Sequence, residues 1–88
     1  MKLRIDRSFD KDVKKIKSKV IKNRLEKIIF EIKASDKISD ITNLKKIQGT
    51  RNYYRIKMGD YRLGLIITKK EAQLIRFLHR KEVYRYFP

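Results

Sequence analysis

The 88-residue sequence contains no cysteine and no long hydrophobic run, and each absence excludes a class of protein. Without cysteine there is neither a disulfide framework nor a thiolate metal site, which fits a reducing compartment. The longest apolar run, residues 63–67, is far too short to span a bilayer, and residues 1–10 lack the apolar segment of a secretory signal. We therefore expect a soluble, cytoplasmic protein with no membrane contact.

Acidic residues are also scarce. The chain has 10 Asp and Glu against 25 Lys and Arg, which gives a net charge of +15. Such an imbalance is self-repulsive and predicts a polyanionic partner, either a nucleic acid, an acidic protein or both. A hydrophobic content of 41% nevertheless suffices for a folded chain, and this length leaves room for one core. Residues 1–88 are therefore predicted to form a single domain.

The spacing of apolar residues predicts one strand and two helices in the first part of the chain. Residues 3–5 alternate between apolar and charged, which is typical of a short strand. A helical spacing follows, with Ser8 as the predicted N-cap and an apolar face that extends to Ile16. A second, longer helix has its apolar stripe over residues 21–32. Residues 36–52 fit no period, and their apolar side chains are expected to anchor an ordered loop or a further half-turn of helix.

From residue 53 onward the period changes to two. The segment YYRIKM, the turn Gly59-Asp60 and the segment YRLGLIIT together predict a β-hairpin, and a third strand follows at residues 72–80. The predicted fold class is α+β with two layers. A helical hairpin packs on a mainly antiparallel four-stranded sheet, in the order β-α-α-β-β-β with a short C-terminal segment.

The two-residue turn fixes which side chains share a face of the hairpin. Lys57 lies opposite Arg62, and Arg55 lies opposite Gly64. One face is then apolar and meets the helices. The other, which we call the outer face, carries Tyr53, Arg55, Lys57 and Arg62.

The third strand is predicted to follow a loop of three residues, 69–71, because a loop of two would place Arg76 in the core. In this register Leu65 faces Ile75. The outer face then also carries Ile66, Leu74, Arg76, Leu78 and Arg80.

A sheet face with this composition predicts an anionic ligand. Like charges directly opposite each other destabilise a sheet, and no carboxylate alternates with these cations. The apolar residues Ile66, Leu74 and Leu78 among them predict that a protein partner also covers the face.

The residues that are absent narrow the chemistry further. No cluster suits Mg²⁺ or Zn²⁺, no glycine-rich phosphate loop is present, and the only histidine has no nucleophile beside it. We therefore expect neither a metal nor a cofactor. RNA supplies its own nucleophile, the 2′-hydroxyl, so cleavage needs only a base, cations and an acid. Among the cations a lysine is the one able to act as the base. The aromatic residues at the chain end would stack on unpaired bases.

The segments YYRIKMGDYRLGLIIT and LIRFLHRKEVYRYFP resemble the C-terminal half of the RelE/ParE toxin superfamily. The hallmarks of that family are a YRIRVGDYRV-type hairpin and a strand that ends in (H/K)R-x-x-VY. RelE-type members are ribosome-dependent mRNA endonucleases that an antitoxin neutralises. The resemblance implies cleavage of mRNA in the ribosomal A site, leaving a cyclic phosphate and a 5′-hydroxyl.

The resemblance also implies a set of catalytic residues: Arg55, Lys57, Arg62, Arg80 and Tyr84. Family members often have a lysine where Arg55 stands. Because arginine binds phosphate but is a poor base, the base role falls to Lys57. Tyr84 is expected to stack on a base or to orient the scissile phosphate.

Other residues near the chain end are assigned secondary roles. Arg76, Lys81, Arg85 and His79 are candidates for substrate binding, with Lys81 and Arg85 contacting ribosomal RNA. The register places His79 beside Tyr61 on the core side, which favours a hydrogen-bonded structural role, although some relatives use a histidine near this position. Tyr86 and Phe87 are expected to dock the tail on the fold.

The expected partners are an acidic antitoxin, mRNA in the ribosomal A site and ribosomal RNA. Three alternatives remain open from the sequence. The chain could be a ParE-like inhibitor of DNA gyrase, a non-catalytic basic RNA-binding or ribosomal module, or a degenerate toxin that only binds an antitoxin or acts in repression.

Overall fold

A five-stranded sheet carries two helices on one face and a short third helix on the other, in a computed structural model that describes all 88 residues. The elements are β1 (Lys2–Ile5), α1 (Arg7–Lys14), α2 (Lys19–Ala34), β2 (Leu44–Lys46), β3 (Tyr53–Met58), β4 (Tyr61–Thr68), β5 (Glu71–His79) and α3 (Val83–Tyr86). The strand order is β1-β5-β4-β3-β2, in which β1 runs parallel to β5 and all other neighbours are antiparallel. The predicted α+β class and two-layer arrangement are confirmed. No helix has the length and apolarity needed to cross a bilayer.

The fifth strand lies in the segment that the sequence left without a prediction. Residues 36–52 contain a 3-10 turn at Ile38–Asp40 and the three-residue strand β2, which pairs with β3 at the edge of the sheet. Ile41 is buried in the core and Leu44 packs against it. Of the two alternatives for these residues, an ordered loop or a half-turn of helix, the 3-10 turn agrees with the second. The sheet has five strands, one more than the four predicted.

The N-cap of the first helix lies two residues earlier than predicted. Asp6, not Ser8, is the N-cap of α1, and its carboxylate accepts a hydrogen bond from the Ser8 backbone N–H. Ser8 has helical geometry inside the first turn, where its hydroxyl lies 2.6 Å from the Ile75 carbonyl oxygen. A carboxylate is the stronger acceptor for the unpaired N–H groups at a helix start, which explains why Asp6 takes this position.

The core lies between the helical layer and the sheet. Its members are Phe9, Leu25, Ile32, Ile41, Ile56, Met58, Leu63, Leu65, Ile67, Ala72, Leu74 and Phe77. The apolar faces predicted for the two helices are turned toward this core. Their residues Val13, Ile16, Ile21, Ile28 and Ile29 pack against it.

The β3–β4 hairpin has the predicted register throughout. Met58 pairs with Tyr61, Lys57 with Arg62, and Arg55 with Gly64. Gly59 has a φ of 58°, a value that glycine adopts without strain as the first residue of a two-residue turn.

The predicted three-residue loop before β5 is wrong. Thr68 pairs with Glu71, so only Lys69 and Lys70 form the turn, with Lys69 at a φ of 52°. Consequently Leu65 pairs with Leu74 and not with Ile75.

A bulge in β5 reconciles this shorter turn with an apolar core. The register shifts by one residue between Gly64 and Leu65, and beyond the shift Gly64 pairs with Arg76 as predicted. Because the extra residue reverses the alternation, Leu74 lies fully buried in the core and Ile75 packs on the outer face instead. The prediction of Leu74 as an outer-face residue is therefore wrong.

The chain end is docked on the outer face. Leu78, Val83 and Phe87 form a second buried cluster there. A Cβ on Gly64 would lie 2.6 Å from the Phe87 ring, so only glycine leaves room for this contact. Phe87 is 1% exposed, which confirms its expected docking role, whereas Tyr86 is 49% exposed.

Candidate functional site

The outer face of β2 and β3 holds a groove of cationic side chains. Lys45 of β2 lies directly opposite Arg55 of β3, and Lys57 follows Arg55 on the same face. A depression of about 540 Å³ is lined by Lys45, Lys46, Ile47, Gln48, Arg55 and Tyr84. A second, of about 340 Å³, is lined by Asn43, Leu44, Lys45, Arg55 and Lys57. We call these two adjoining depressions the β2–β3 groove.

No carboxylate neutralises the β2–β3 groove. The ion pairs of the chain join Arg4 to Glu71, Arg76 to Asp12, and Arg80 to Asp60. Neither depression has an acidic residue among its lining side chains. Because like charges on neighbouring strands repel, an anion bound in the groove would lower its electrostatic free energy.

Arg62 extends the cationic surface toward the β3–β4 turn. It lies opposite Lys57, and its Nη1 donates hydrogen bonds to the carbonyl oxygens of Gly59 at 2.7 Å and Tyr61 at 2.9 Å. These bonds to its own turn restrict the guanidinium without neutralising it.

Arg80 reaches the same turn from the end of β5. Its backbone N–H donates to the Asp60 carbonyl oxygen at 2.7 Å, and its Nε lies 3.7 Å from Asp60 Oδ1. Both side chains of this ion pair are more than half exposed, so solvent screens it strongly. Arg62 and Arg80 therefore flank one turn, and Arg62 also lies opposite Lys57.

Tyr84 projects from α3 into the β2–β3 groove. Val83 and Phe87, on either side of it in sequence, are buried in the outer-face cluster, whereas Tyr84 is 63% exposed and lines the same depression as Arg55. The buried neighbours fix the helix on the sheet and so hold the Tyr84 ring beside Arg55.

Arg76 lies apart from these cations. Its Nε and Nη2 donate to the two carboxylate oxygens of Asp12 in α1, at 2.8 and 3.0 Å. These hydrogen bonds raise the pKa of Arg76 above its usual range. The guanidinium also lies 5.3 Å from the centre of the Tyr86 ring. Arg76 therefore joins α1, β5 and α3, and its expected availability to substrate is not observed.

The remaining candidates lie outside the β2–β3 groove. His79 packs edge-on against Tyr61 with ring centres 5.8 Å apart, and its Nδ1 accepts a hydrogen bond from the Lys81 N–H. This arrangement agrees with the structural role expected for it. Lys81 and Arg85 are exposed and form no ion pair. No group of His, Asp and Glu side chains forms a potential metal site.

Sequence reasoning missed Lys45 and Asp12. Lys45 belongs to the segment without a recognisable period, so its face could not be assigned. Asp12 is 4% exposed, and besides its contact with Arg76 it accepts a hydrogen bond from the Phe77 N–H. The available signal was its spacing of three residues from Phe9, which places a carboxylate on the buried face and demands a cationic partner.

Comparisons with known proteins agree with this architecture. Residues 3–84 match the family model of the ParE toxin of the type II toxin–antitoxin system parDE. The chain is 39% identical over 89 residues to the toxin RelE3 of Methanocaldococcus jannaschii, with both chains covered in full.

Solved structures show the same similarity. The RelB–RelE antitoxin–toxin complex from Methanococcus jannaschii matches with a TM-score of 0.82 and 36% identity, over 97% of this chain and 99% of that one. The intact E. coli RelBE toxin–antitoxin complex matches with a TM-score of 0.67 and 25% identity, over 86% and 92%.

Proposed function

The chain belongs to the RelE/ParE superfamily of toxins from type II toxin–antitoxin systems, and we propose that it is a ribosome-dependent mRNA endonuclease that works without a metal ion. One observation carries the proposal: Arg55 and Lys57 share an uncompensated groove with the exposed ring of Tyr84, and Arg62 lies directly opposite Lys57. A single strand of nucleic acid suits such a surface better than a neutral ligand does. Its phosphates are negatively charged, and its bases can stack on the Tyr84 ring.

The proposed reaction uses the 2′-hydroxyl of the RNA as its nucleophile. Lys57 takes the hydroxyl proton, and the oxygen attacks the adjacent phosphorus. Arg55 and Arg62 stabilise the negative charge that gathers on the phosphoryl oxygens. As the bond from phosphorus to the 5′-oxygen breaks, Arg80 stabilises the negative charge that develops on that oxygen, which takes its proton from water. The products are a 2′,3′-cyclic phosphate and a 5′-hydroxyl.

Tyr84 has a positioning role in this proposal. Its ring stacks on a base next to the scissile phosphate, which holds the strand in place for in-line attack. Lys81 and Arg85 contact the backbone of ribosomal RNA from outside the groove. Cleavage of ribosome-bound mRNA would take place in the cytoplasm, so the proposal implies that location for the protein.

An acidic antitoxin is the second proposed partner. Two relatives were solved as complexes with an antitoxin, and the net charge of +15 favours an acidic one here. The apolar contacts expected for it are revised by the fold, because Leu74 and Leu78 are buried within this chain and only Ile66 is left half-exposed. The antitoxin therefore acts mainly through carboxylates that cover the cations.

Inhibition of DNA gyrase is the second candidate function, since the matching family model is that of the ParE toxin. Gyrase inhibition does not require the set of cations and Tyr84 described above. Substitutions in this set therefore separate the two functions.

The test is a cleavage assay on mRNA programmed into ribosomes. We expect Arg62→Ala and Arg80→Ala each to lower the cleavage rate by about 10²- to 10³-fold, because each removes charge stabilisation from the transition state. Arg7→Ala is the matched control, since Arg7 is exposed on α1 and outside the groove. Failure of the wild-type protein to cut, or unchanged cutting by both variants, would overturn the endonuclease function. Inhibition of gyrase supercoiling by all four proteins would then favour the second candidate.

A further inference from the structure

Lys45 occupies an unusual place for a charged residue of an edge strand. It is exposed on β2, with its backbone directly opposite that of Arg55. Lysines at sheet edges often serve only to prevent pairing with other chains. That role requires only a charge that points into solvent. It does not explain why Lys45 lies opposite an arginine, because two like charges in opposed positions destabilise a sheet.

Lys45 and Arg55 are shared by both halves of the β2–β3 groove. On one side of this pair the lining includes Tyr84 and Gln48, and on the other it includes Lys57. The groove therefore leads from the aromatic ring, past the two paired cations, to the proposed catalytic base. No acidic side chain lies along this path.

We propose that Lys45, beside Arg55, forms a second phosphate site that binds the RNA backbone phosphate adjacent to the one that is cut. The proposal rests on the endonuclease function, in which Arg55, Lys57 and Arg62 act at the scissile phosphate. A single strand then runs along β2 and β3, with a base stacked on Tyr84 and successive phosphates in the two halves of the groove. Lys45 is a substrate-binding residue in this arrangement and takes no part in proton transfer.

The test measures binding of a short RNA that cannot be cut. The probe is a fluorescent single-stranded tetranucleotide with 2′-O-methyl groups in place of the 2′-hydroxyls, so that no nucleophile is available. Affinity is measured by anisotropy at several salt concentrations. Each phosphate contact contributes about 0.7 to the slope of log affinity against log salt for a single strand, which is about fivefold in affinity between 1 M and 0.1 M salt.

We expect Lys45→Ala to lower the salt slope by about 0.7 and Lys45→Arg to restore it. Lys22→Ala is the matched control, because Lys22 is an exposed lysine of α2 on the opposite side of the sheet. A slope for Lys45→Ala equal to that of Lys22→Ala would overturn the second phosphate site. If the salt slope were unchanged but Lys45→Ala weakened binding of an acidic antitoxin peptide, the phosphate site would still be overturned. The groove would then be a protein contact.

A cleavage assay separates failure of this proposal from failure of the proposed function. With an intact endonuclease, Lys45→Ala should raise KM for ribosome-bound mRNA several-fold while kcat changes little, because the contact is equal in ground and transition states. If the wild-type protein does not cut but the salt slope still falls in Lys45→Ala, the phosphate site stands and the endonuclease function does not. Cleavage by wild type with an unchanged KM in Lys45→Ala would refute the site alone.

Discussion

The two faces of the sheet differ in what their neighbouring residues do to the free energy of folding. On the helix-facing side, paired residues such as Leu63 and Phe77 are both buried and remove apolar surface from water. On the outer face, paired residues include Lys57 with Arg62, whose charges repel. The same strands therefore carry a continuous apolar core on one face, and on the other a smaller apolar cluster beside cationic pairs that oppose folding. The repelling cations are a cost to folding, which agrees with the proposed role of this part of the outer face in binding an anion.

The largest effect on stability is expected on the helix-facing side. Leu63 is fully buried, and Leu63→Ala should lower the free energy of unfolding by about 4 kcal/mol, since it removes apolar contacts and leaves a cavity. Ile66→Ala is the matched control on the other face of β4, where the side chain is half-exposed, and it should cost about 1 kcal/mol. Urea denaturation of both variants measures the difference. Equal losses would show that the two faces contribute alike.

The second-largest loss of stability is expected at the ion pair between Asp12 and Arg76. Asp12→Ala removes the acceptor for Arg76 and for the Phe77 N–H, and it should cost about 3 kcal/mol. This loss is at the low end for breaking a buried ion pair, because the Arg76 side chain is 24% exposed and partly solvated. Asp10→Ala, an exposed acidic residue of the same helix, is the control. A thermal or urea midpoint for Asp12→Ala that matches the control would contradict this assignment.

A smaller effect is expected where α3 docks on the outer face. Gly64→Ala places a methyl group about 2.6 Å from the Phe87 ring, and the resulting displacement should cost about 2 kcal/mol. In Phe87→Leu the ring is absent, so adding Gly64→Ala to that variant should cost much less than adding it to wild type. Strict additivity of the two substitutions in a double-mutant cycle would mean that the ring does not rest on Gly64.

The smallest expected effect depends on pH. Hydrogen bonds from the Ser8 hydroxyl and the Ser8 backbone N–H lower the pKa of Asp6 below its usual 3.8. Because the folded-state pKa is the lower one, this stabilisation is present above about pH 4 and is lost as the pH falls through the folded pKa. Asp6→Asn keeps a good helix cap but cannot titrate. The Tm advantage of wild type over Asp6→Asn should therefore narrow as the pH falls below about 4. A Tm difference that stays constant with pH would contradict this role of Asp6.

Local patterns predicted the parts of the fold that depend on neighbours in sequence. The β3–β4 register followed from the Gly59-Asp60 turn, because a two-residue turn leaves one pairing that keeps the apolar residues together. The bulge at Ile75 was not predicted, since it depends on how β5 meets α1 across the Ser8 hydroxyl. The pairing of Asp12 with Arg76 is likewise non-local, since the two residues are 64 positions apart in sequence.

The candidate site likewise contains residues that a local pattern predicted and residues whose position depends on packing between distant segments. Arg55, Lys57 and Arg62 were placed on one face by the register of a single hairpin. Tyr84 was found only from the motif in the tail, because its position depends on how α3 packs against Leu78. Lys45 was missed because three residues of strand are too few for an alternating pattern to be recognised.

The most direct test of the account combines two measurements on Lys57→Ala: the rate of cleavage of ribosome-bound mRNA and the Tm. Lys57 is exposed and lies opposite Arg62, so its removal relieves a repulsion while it removes the proposed base. We predict a rate at least about 10²-fold lower together with a Tm that is unchanged or slightly higher. A rate close to that of wild type, or a loss of rate matched by a loss of folded protein, would contradict the account.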